Sequence, residues 1–299
     1  MTIRFGVSPI AWINDDMPEL GGDTPLESVL RDVQEVGFAG VELGGKFPRD
    51  PAELQALLGR YGLALVGGWY SSNLLVQGAD AEIEKLRRHL ELLQAMGSKV
   101  FIIAETSNAI HGDRSRALNQ SPDLNDDEWN AFGERMTKVA DFIESEGLRL
   151  AYHHHLGTVV ESGEELDRFL QVTGDAVGLT LDTGHASLGG IDAVSILNRY
   201  SQRVAHVHCK DVRRRVFETI LGGGSSFLDG VLQGMFTVPG DGDLDFQPLF
   251  DALSKKGYSG WVIVEAEQDP ALADPRAFAK IGLGTLRTHA RFARLEAVQ

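Results

Sequence analysis

Five times along the chain a helix-like stretch, with apolar residues three or four apart, ends in glycine and passes at once into a short apolar run. The junctions are Val36-Gly37 before FAGVEL, Tyr61-Gly62 before LALVGGW, Met96-Gly97 before SKVFIIA, Glu146-Gly147 before LRLAYHHH and Lys256-Gly257 before YSGWVIVE. Glycine just past a helix adopts the left-handed cap at little cost, so each copy predicts a helix feeding directly into a strand. Three further apolar runs, IRFGVSP, VGLTLD and RVAHVHCKD, bring the predicted strands to eight. Strands alternating with helices imply parallel pairing through helical crossovers.

The helical pattern is plain over 79–96, where Ile83, Leu86, Leu90, Leu93 and Met96 share a face, and over 126–146 through Trp129, Phe132, Met136, Val139 and Ile143. VFIIA and WVIV are almost wholly apolar, as strands covered on both faces are. A single (β/α)8 TIM barrel over 1–299 is the expected architecture. A doubly wound sheet competes, and the lack of a GxGxxG after the first strand weakens its dinucleotide-binding form. The stretch 212–244 (with LGGGSSFLDGVLQG) shows no long helical pattern, and is expected to be a long active-site loop between strands seven and eight.

Composition narrows the partners. The 299 residues carry a formal charge of −15, which argues against nucleic acid and anionic membranes, both recognised through Lys and Arg. The lone cysteine, Cys209, allows neither an internal disulfide nor a cysteine-clustered zinc site and fits a reducing, cytoplasmic setting. No stretch approaches the roughly 20 apolar residues of a membrane span, and MTIRFGVSPIAW does not read as a signal peptide.

Chemistry-bearing residues gather where the predicted strands end: Glu42, Trp69-Tyr70, Glu105, His153-His154-His155, Asp182-Thr183-Gly184-His185, His206 to Asp211, and Glu265-Ala266-Glu267. In a barrel these ends meet at one mouth. Alternation puts His153 with His155, His206 with His208, and Glu265 with Glu267 on common faces, with His154 and Cys209 turned the other way. One imidazole from strand five, one carboxylate from strand six, one imidazole from strand seven and one carboxylate from strand eight make a mixed nitrogen and oxygen site. Such a site suits Mn²⁺, Co²⁺, Fe²⁺ or Mg²⁺, with Zn²⁺ as a further choice. Lys210 and Lys46 are candidate acid/base groups, on the expectation that a lysine beside a divalent cation has a depressed pKa. Trp12, Trp69 and Tyr70 could wall a sugar-like ring. Arg213-Arg214-Arg215 could draw an anion or lie on a solvated surface. His111 and His289 fall outside the clusters and read as packing or surface residues.

The set LDTGH, HVHCKD and VIVEAEQDP, preceded by YHHHLGT, resembles the xylose-isomerase-like superfamily of sugar isomerases, epimerases and dehydratases. Within it, ELGGKFPRDP, GWYSSNLL, AYHHHLGT, HVHCKDVR, VPGDGDLDF and VEAEQDP follow the order of the inosose dehydratases of inositol catabolism, from SPIAWINDD to past residue 270. The resemblance implies Asp182, His208 and Glu265 as metal ligands. The remaining ligand, a glutamate in most members, falls where this chain has His153, which leaves His153, His155 or a water to fill it. It also implies loss of water from 2-keto-myo-inositol, a small polyol ketone, to give a trihydroxycyclohexane-1,2-dione with Mn²⁺ or Co²⁺. Acid and base work is expected of His155, Lys210, Glu42 and Lys46, and substrate contact of Trp12, Trp69, Tyr70, His185 and Glu267. A ketose or keto-inositol epimerase or isomerase is the alternative within the superfamily. A barrel that binds sugar without catalysis is disfavoured by retention of Asp182, His208 and Glu265. Homo-oligomerisation is left open.

Overall fold

The computed structural model describes residues 2–298. Eight parallel strands close a barrel: β1 (Thr2–Val7), β2 (Gly40–Leu43), β3 (Ala64–Ser72), β4 (Val100–Glu105), β5 (Arg149–His153), β6 (Val177–Asp182), β7 (Val204–Cys209) and, after two short strands, β10 (Gly260–Val264), which pairs with β1. The fold is thus the expected (β/α)8 TIM barrel. The expected junctions are present: Gly37, Gly62, Gly97, Gly147 and Gly257 all have φ between 64° and 99°. A side chain there would force the left-handed conformation that L residues resist.

The crossover helices are α1 (Leu26–Val36), α2 (Pro51–Tyr61), α3 (Ala79–Ala95), α4 (Asp126–Ser145), α5 (Gly163–Val172), α6 (Thr183–Leu188) with α7 (Ala193–Tyr200), and α10 (Gln247–Lys256), while α11 (Pro275–Phe292) closes the ring. Their starts are written in the sequence. Asn125 and Glu128 form a reciprocal capping box on α4, and Ser162 and Glu165 do so on α5. The apolar faces read from 79–96 and 126–146 are buried against the sheet, with Leu86, Leu93, Phe132, Met136 and Ile143 at 0% exposure. Truncating one such leucine to alanine costs about 2–5 kcal/mol. No helix among the described residues is long and apolar enough to cross a membrane.

The stretch 212–244 departs from expectation. It holds two helices, α8 (Arg214–Gly223) and α9 (Phe227–Leu232), and a small antiparallel pair, β8 (Asp211–Val212) with β9 (Phe236–Thr237). Its glycines punctuate the segment: Gly224 is the left-handed cap of α8, and Ser226 then opens α9 with a capping box to Asp229. Val212, Ile220, Phe227, Val231, Met235 and Phe236 bury a second core with Met17, Leu118 and Leu156 from other loops. Asp211 fastens the far end by accepting the amides of Gly240, Gly242 and Leu244 at 2.9–3.1 Å. This cap stands beside the C-terminal mouth of the barrel. A last strand, β11 (Glu296–Val298), pairs with the start of β1.

Candidate metal centre and active site

β6 and β7 run in register with Asp182 opposite His208, and His153 ends the neighbouring β5. Ligand atoms of His153, Asp182, His208 and Glu265 all lie within 4.8 Å of one another. Donors that share one ion at bonds of about 2.0–2.2 Å stand about that far apart. His208 Nδ1 is 3.6 Å from Asp182 Oδ2 and 2.9 Å from Glu265 Oε2, and His153 Nε2 is 3.7 Å from Asp182 Oδ2. Asp182 Oδ2 and His208 Nδ1 are buried and have no hydrogen-bond partner. Buried polar atoms left without hydrogen bonds are costly, and an ion held among the four donors would satisfy both. The donor set therefore fits a divalent ion.

The local sequence explains how Asp182 is held. Its Oδ1 caps α6 by accepting the amide of His185 at 2.8 Å, which turns Oδ2 into the cluster. Thr183 Oγ1 donates to the carbonyl of Lys210 at 2.7 Å. Gly184 leaves room for the lysine stem, since a Cβ there would stand 2.7–2.9 Å from Lys210 Cγ, Cδ and Cβ. His185 Nε2 receives the Lys210 ammonium at 3.0 Å. Each residue of Asp182-Thr183-Gly184-His185 thus braces either the cluster or the lysine beside it.

That lysine is at 0% exposure. Its Nζ lies 2.5 Å from Glu267 Oε1, 2.6 Å from Glu265 Oε1 and 3.6 Å from Asp182 Oδ2, over the Phe236 ring at 4.7 Å. Burial alone would lower its pKa, but Asp182, Glu265 and Glu267 outweigh burial and raise it. In the metal-free chain Lys210 is therefore held as a cation, the direction opposite to that expected of a lysine beside a bound ion. Burial would likewise raise the carboxylates, yet Lys210 and then His185 hold Asp182 well below 3.8, and Lys210 lowers Glu265 and Glu267. For His208 burial is overcome by Glu42 and Glu265, which raise its pKa well above 6.5. The field that draws a proton to this ring would also draw a metal ion.

A cavity open to solvent is lined by Trp69, His153, His155, His208, Glu42, Glu265 and Glu267, together with Asp15, Asp16 and His111. His155 belongs to a different cluster from His153. Its ligand atoms group with those of His185 and Glu267, and its ring lies 3.8 Å from that of His185. Nδ1 of His155 donates to the Leu156 carbonyl at 2.7 Å, so the neutral ring carries its lone pair on Nε2. Burial, then His185 and His111, push its pKa well below 6.5. Trp69 packs edge-on against His153 and His155 and keeps 38% exposure.

His185, expected to touch substrate, is buried off the cavity wall against Lys210 and the Leu156 amide, and three further expected site residues lie elsewhere. Lys46 is exposed, and its ammonium is held by the carbonyls of Gly22 and Thr24, 3.1 Å away for the latter. Trp12 is buried with Nε1 donating to Asp32 at 3.0 Å. Tyr70 alternates away from Trp69, donates to Glu82 at 2.6 Å and packs on His89 and Phe101. Arg213 and Arg214 tie the cap together through Asp241, Gly234, Asp243 and Ser187. His154 is buried with Nε2 3.4 Å from the Asp182 amide, and His289 bonds Gln247. His111, read as a packing or surface residue, instead lines the cavity 4.8 Å from the His155 ring.

The loop after β1 supplies what the sequence reading missed. Asn14 Oδ1 accepts the amides of Asp16 and Met17 at 2.8 Å, Asp15 receives the Gly45 amide, and Met17 inserts into the cap core. Asp16 is thereby set on the cavity wall, where it is exposed. The surrounding protein, then Glu267 and Asp15, raise its pKa to about 7, against the pull of Lys210. The Asn-Asp-Asp run was a turn signal, but nothing in it marked which carboxylate faces the cavity.

Residues 30–289 match the profile of the xylose isomerase-like TIM barrel. The chain is 46% identical to the rhizopine catabolism protein MocC of Rhizobium meliloti, over 99% of this chain and 90% of that protein. It is 41% identical to an inosose dehydratase of Lacticaseibacillus casei, over 93% of this chain and 94% of the relative. Among solved structures, L-ribulose 3-epimerase superposes with a TM-score of 0.68 at 19% identity, covering 98% and 96% of the two chains. D-allulose 3-epimerase from Methylomonas sp. gives 0.67 at 17%, covering 96% and 97%. The last two likenesses speak to fold alone.

Proposed function

This chain belongs to the xylose isomerase-like TIM barrel family and, within it, to the group that holds the inosose dehydratases; from that premise we propose that it dehydrates 2-keto-myo-inositol to a trihydroxycyclohexane-1,2-dione. The observation that carries the proposal is the four-residue cluster His153, Asp182, His208 and Glu265, of which His153, His208 and Glu265 line one cavity with His155 and Asp16. The lining includes no lysine or arginine, which suits an uncharged polyol ketone better than a sugar phosphate. The relatives' names supply the substrate class, and the cytoplasmic setting read from the lone cysteine belongs to the same proposal.

His153, Asp182, His208 and Glu265 would hold the ion, Mn²⁺ or Co²⁺ by donor type. When bound, such an ion supplies Lewis-acid stabilisation of the negative charge that grows on a ketone oxygen as its α proton leaves. His155 Nε2 takes that α proton, and the C–H electron pair becomes the new C=C bond. Glu267, whose charge bears on His155, favours the imidazolium that results. Asp16, protonated in part at neutrality, gives its proton to the departing β hydroxyl, which leaves as water with the C–O electron pair. The resulting enol tautomerises to the dione. Lys210 moves no proton: it fixes Glu267 and Glu265 and neutralises them. Trp69 offers a flat face to the ring's C–H side, and the cap excludes water behind His155 and His185 through Phe227 and Phe236.

The test is the product. Purified protein with Mn²⁺ and 2-keto-myo-inositol should yield a compound lighter by one water with the absorbance of a conjugated dione, and His155→Gln should slow this by about 10²–10⁴-fold. A product of unchanged mass and inverted stereochemistry would instead establish an epimerase.

A further inference from the structure

Glu42, near the end of β2, reaches across the top of the barrel to β7, three strands away around the ring past β1 and β10. Its Oε1 accepts from His206 Nε2 at 2.8 Å and from His208 Nε2 at 2.9 Å. All three side chains are buried. We propose that Glu42 is a positioning residue for the metal centre, which presents Nδ1 of His208 to the ion by holding the proton of Nε2. The inference rests on the reading of His153, Asp182, His208 and Glu265 as a metal site.

The argument is one of tautomers. An ionised carboxylate only accepts, so the contact at 2.9 Å requires a hydrogen of His208 on Nε2; the proton on the Glu265 side, at Nδ1, is the one an ion would displace to meet a lone pair. Nδ1 is the nitrogen that faces Asp182 and Glu265. In water either nitrogen of imidazole can give up its proton; here Glu42 holds the one on Nε2, so the nitrogen freed for an ion is Nδ1. Carboxylates that hold ligating histidines in this way raise ligand basicity and fix ring orientation. His206 adds the second donor, so Oε1 has both lone pairs engaged and the carboxylate cannot swing away from His208.

Isothermal titration of the metal-stripped full chain with Mn²⁺ alone tests this without reference to turnover. Glu42→Gln and Glu42→Ala should each weaken Mn²⁺ binding by about 10–100-fold, while dehydration activity recovers as Mn²⁺ is raised. Glu42→Gln preserves volume and carries the test if circular dichroism shows that the alanine variant fails to fold. His206→Gln, which leaves the Glu42–His208 bond, should weaken binding less. Unchanged Mn²⁺ affinity in the Glu42 variants overturns the proposal, and so does lost turnover at saturating Mn²⁺ with affinity intact, which would put Glu42 on the substrate. If Asp182→Asn also binds Mn²⁺ normally, the metal reading itself has failed, and that result is distinct from the other two.

Discussion

Two halves of the barrel mouth are built from the same residue types and differ in where their positive charge comes from. On one side Lys210 lies within 3.6 Å of Asp182, Glu265 and Glu267, and its ammonium also meets His185. On the other, Asp182 Oδ2 and His208 Nδ1 are buried without a hydrogen-bond partner. The first half carries its own cation and is complete as folded. The second is organised around a cation it does not itself supply. Asp182 and Glu265 belong to both, so the lysine offsets part of the negative charge and leaves a site whose remaining need is met by a divalent ion.

The sharpest way to break this comparison is to remove a shared carboxylate. Asp182→Asn should leave no retained metal by elemental analysis and cut turnover by at least about 10³-fold, since the ion's share of charge stabilisation is several kcal/mol. Removing the internal cation tests the other half. Lys210→Met leaves buried carboxylates unpaired and should destabilise the metal-free protein by about 3–5 kcal/mol, with added Mn²⁺ recovering part of the lost thermal stability. If the melting temperature is unchanged, Lys210 is not the cation of that half.

Asp16 sharpens the chemistry on the cavity wall. A carboxylic acid with a pKa of about 7 is protonated below that pH, so kcat should fall as pH rises through about 7. Asp16→Asn should lower kcat by about 10²-fold and flatten that fall, with Mn²⁺ affinity intact. The smallest effect is expected outside both halves. Lys46→Ala removes an exposed amine that holds only the carbonyls of Gly22 and Thr24, so stability should change by no more than about 0.5 kcal/mol and turnover by no more than about twofold.

The parts of this architecture that repeat were legible in the sequence. Gly37, Gly62, Gly97, Gly147 and Gly257 each marked a helix passing into a strand because a left-handed cap has few other occupants. Strand alternation likewise paired Glu265 with Glu267 on one face. Alternation was not carried through at Trp69 and Tyr70: both were expected to wall the mouth, yet adjacent strand residues face opposite ways, and Tyr70 turns to Glu82. What sequence could not carry was the balance of charge around one atom. Lys210 follows a histidine-rich strand, and only the convergence of Asp182, Glu265 and Glu267 from two other segments reverses the expected direction of its pKa. Asp16 was hidden for a related reason, since its environment is assembled from the far end of the chain. The helices at Arg214–Gly223 and Phe227–Leu232 were obscured by glycines that serve as their stops.

The central claim is that the mouth needs a divalent ion to remove water from a polyol ketone. The most direct measurement is the initial rate of dione formation from 2-keto-myo-inositol by chelator-stripped protein, before and after Mn²⁺ is restored. The account predicts no dione above background in the stripped protein and recovery on addition of the ion. Equal rates with and without metal would contradict it.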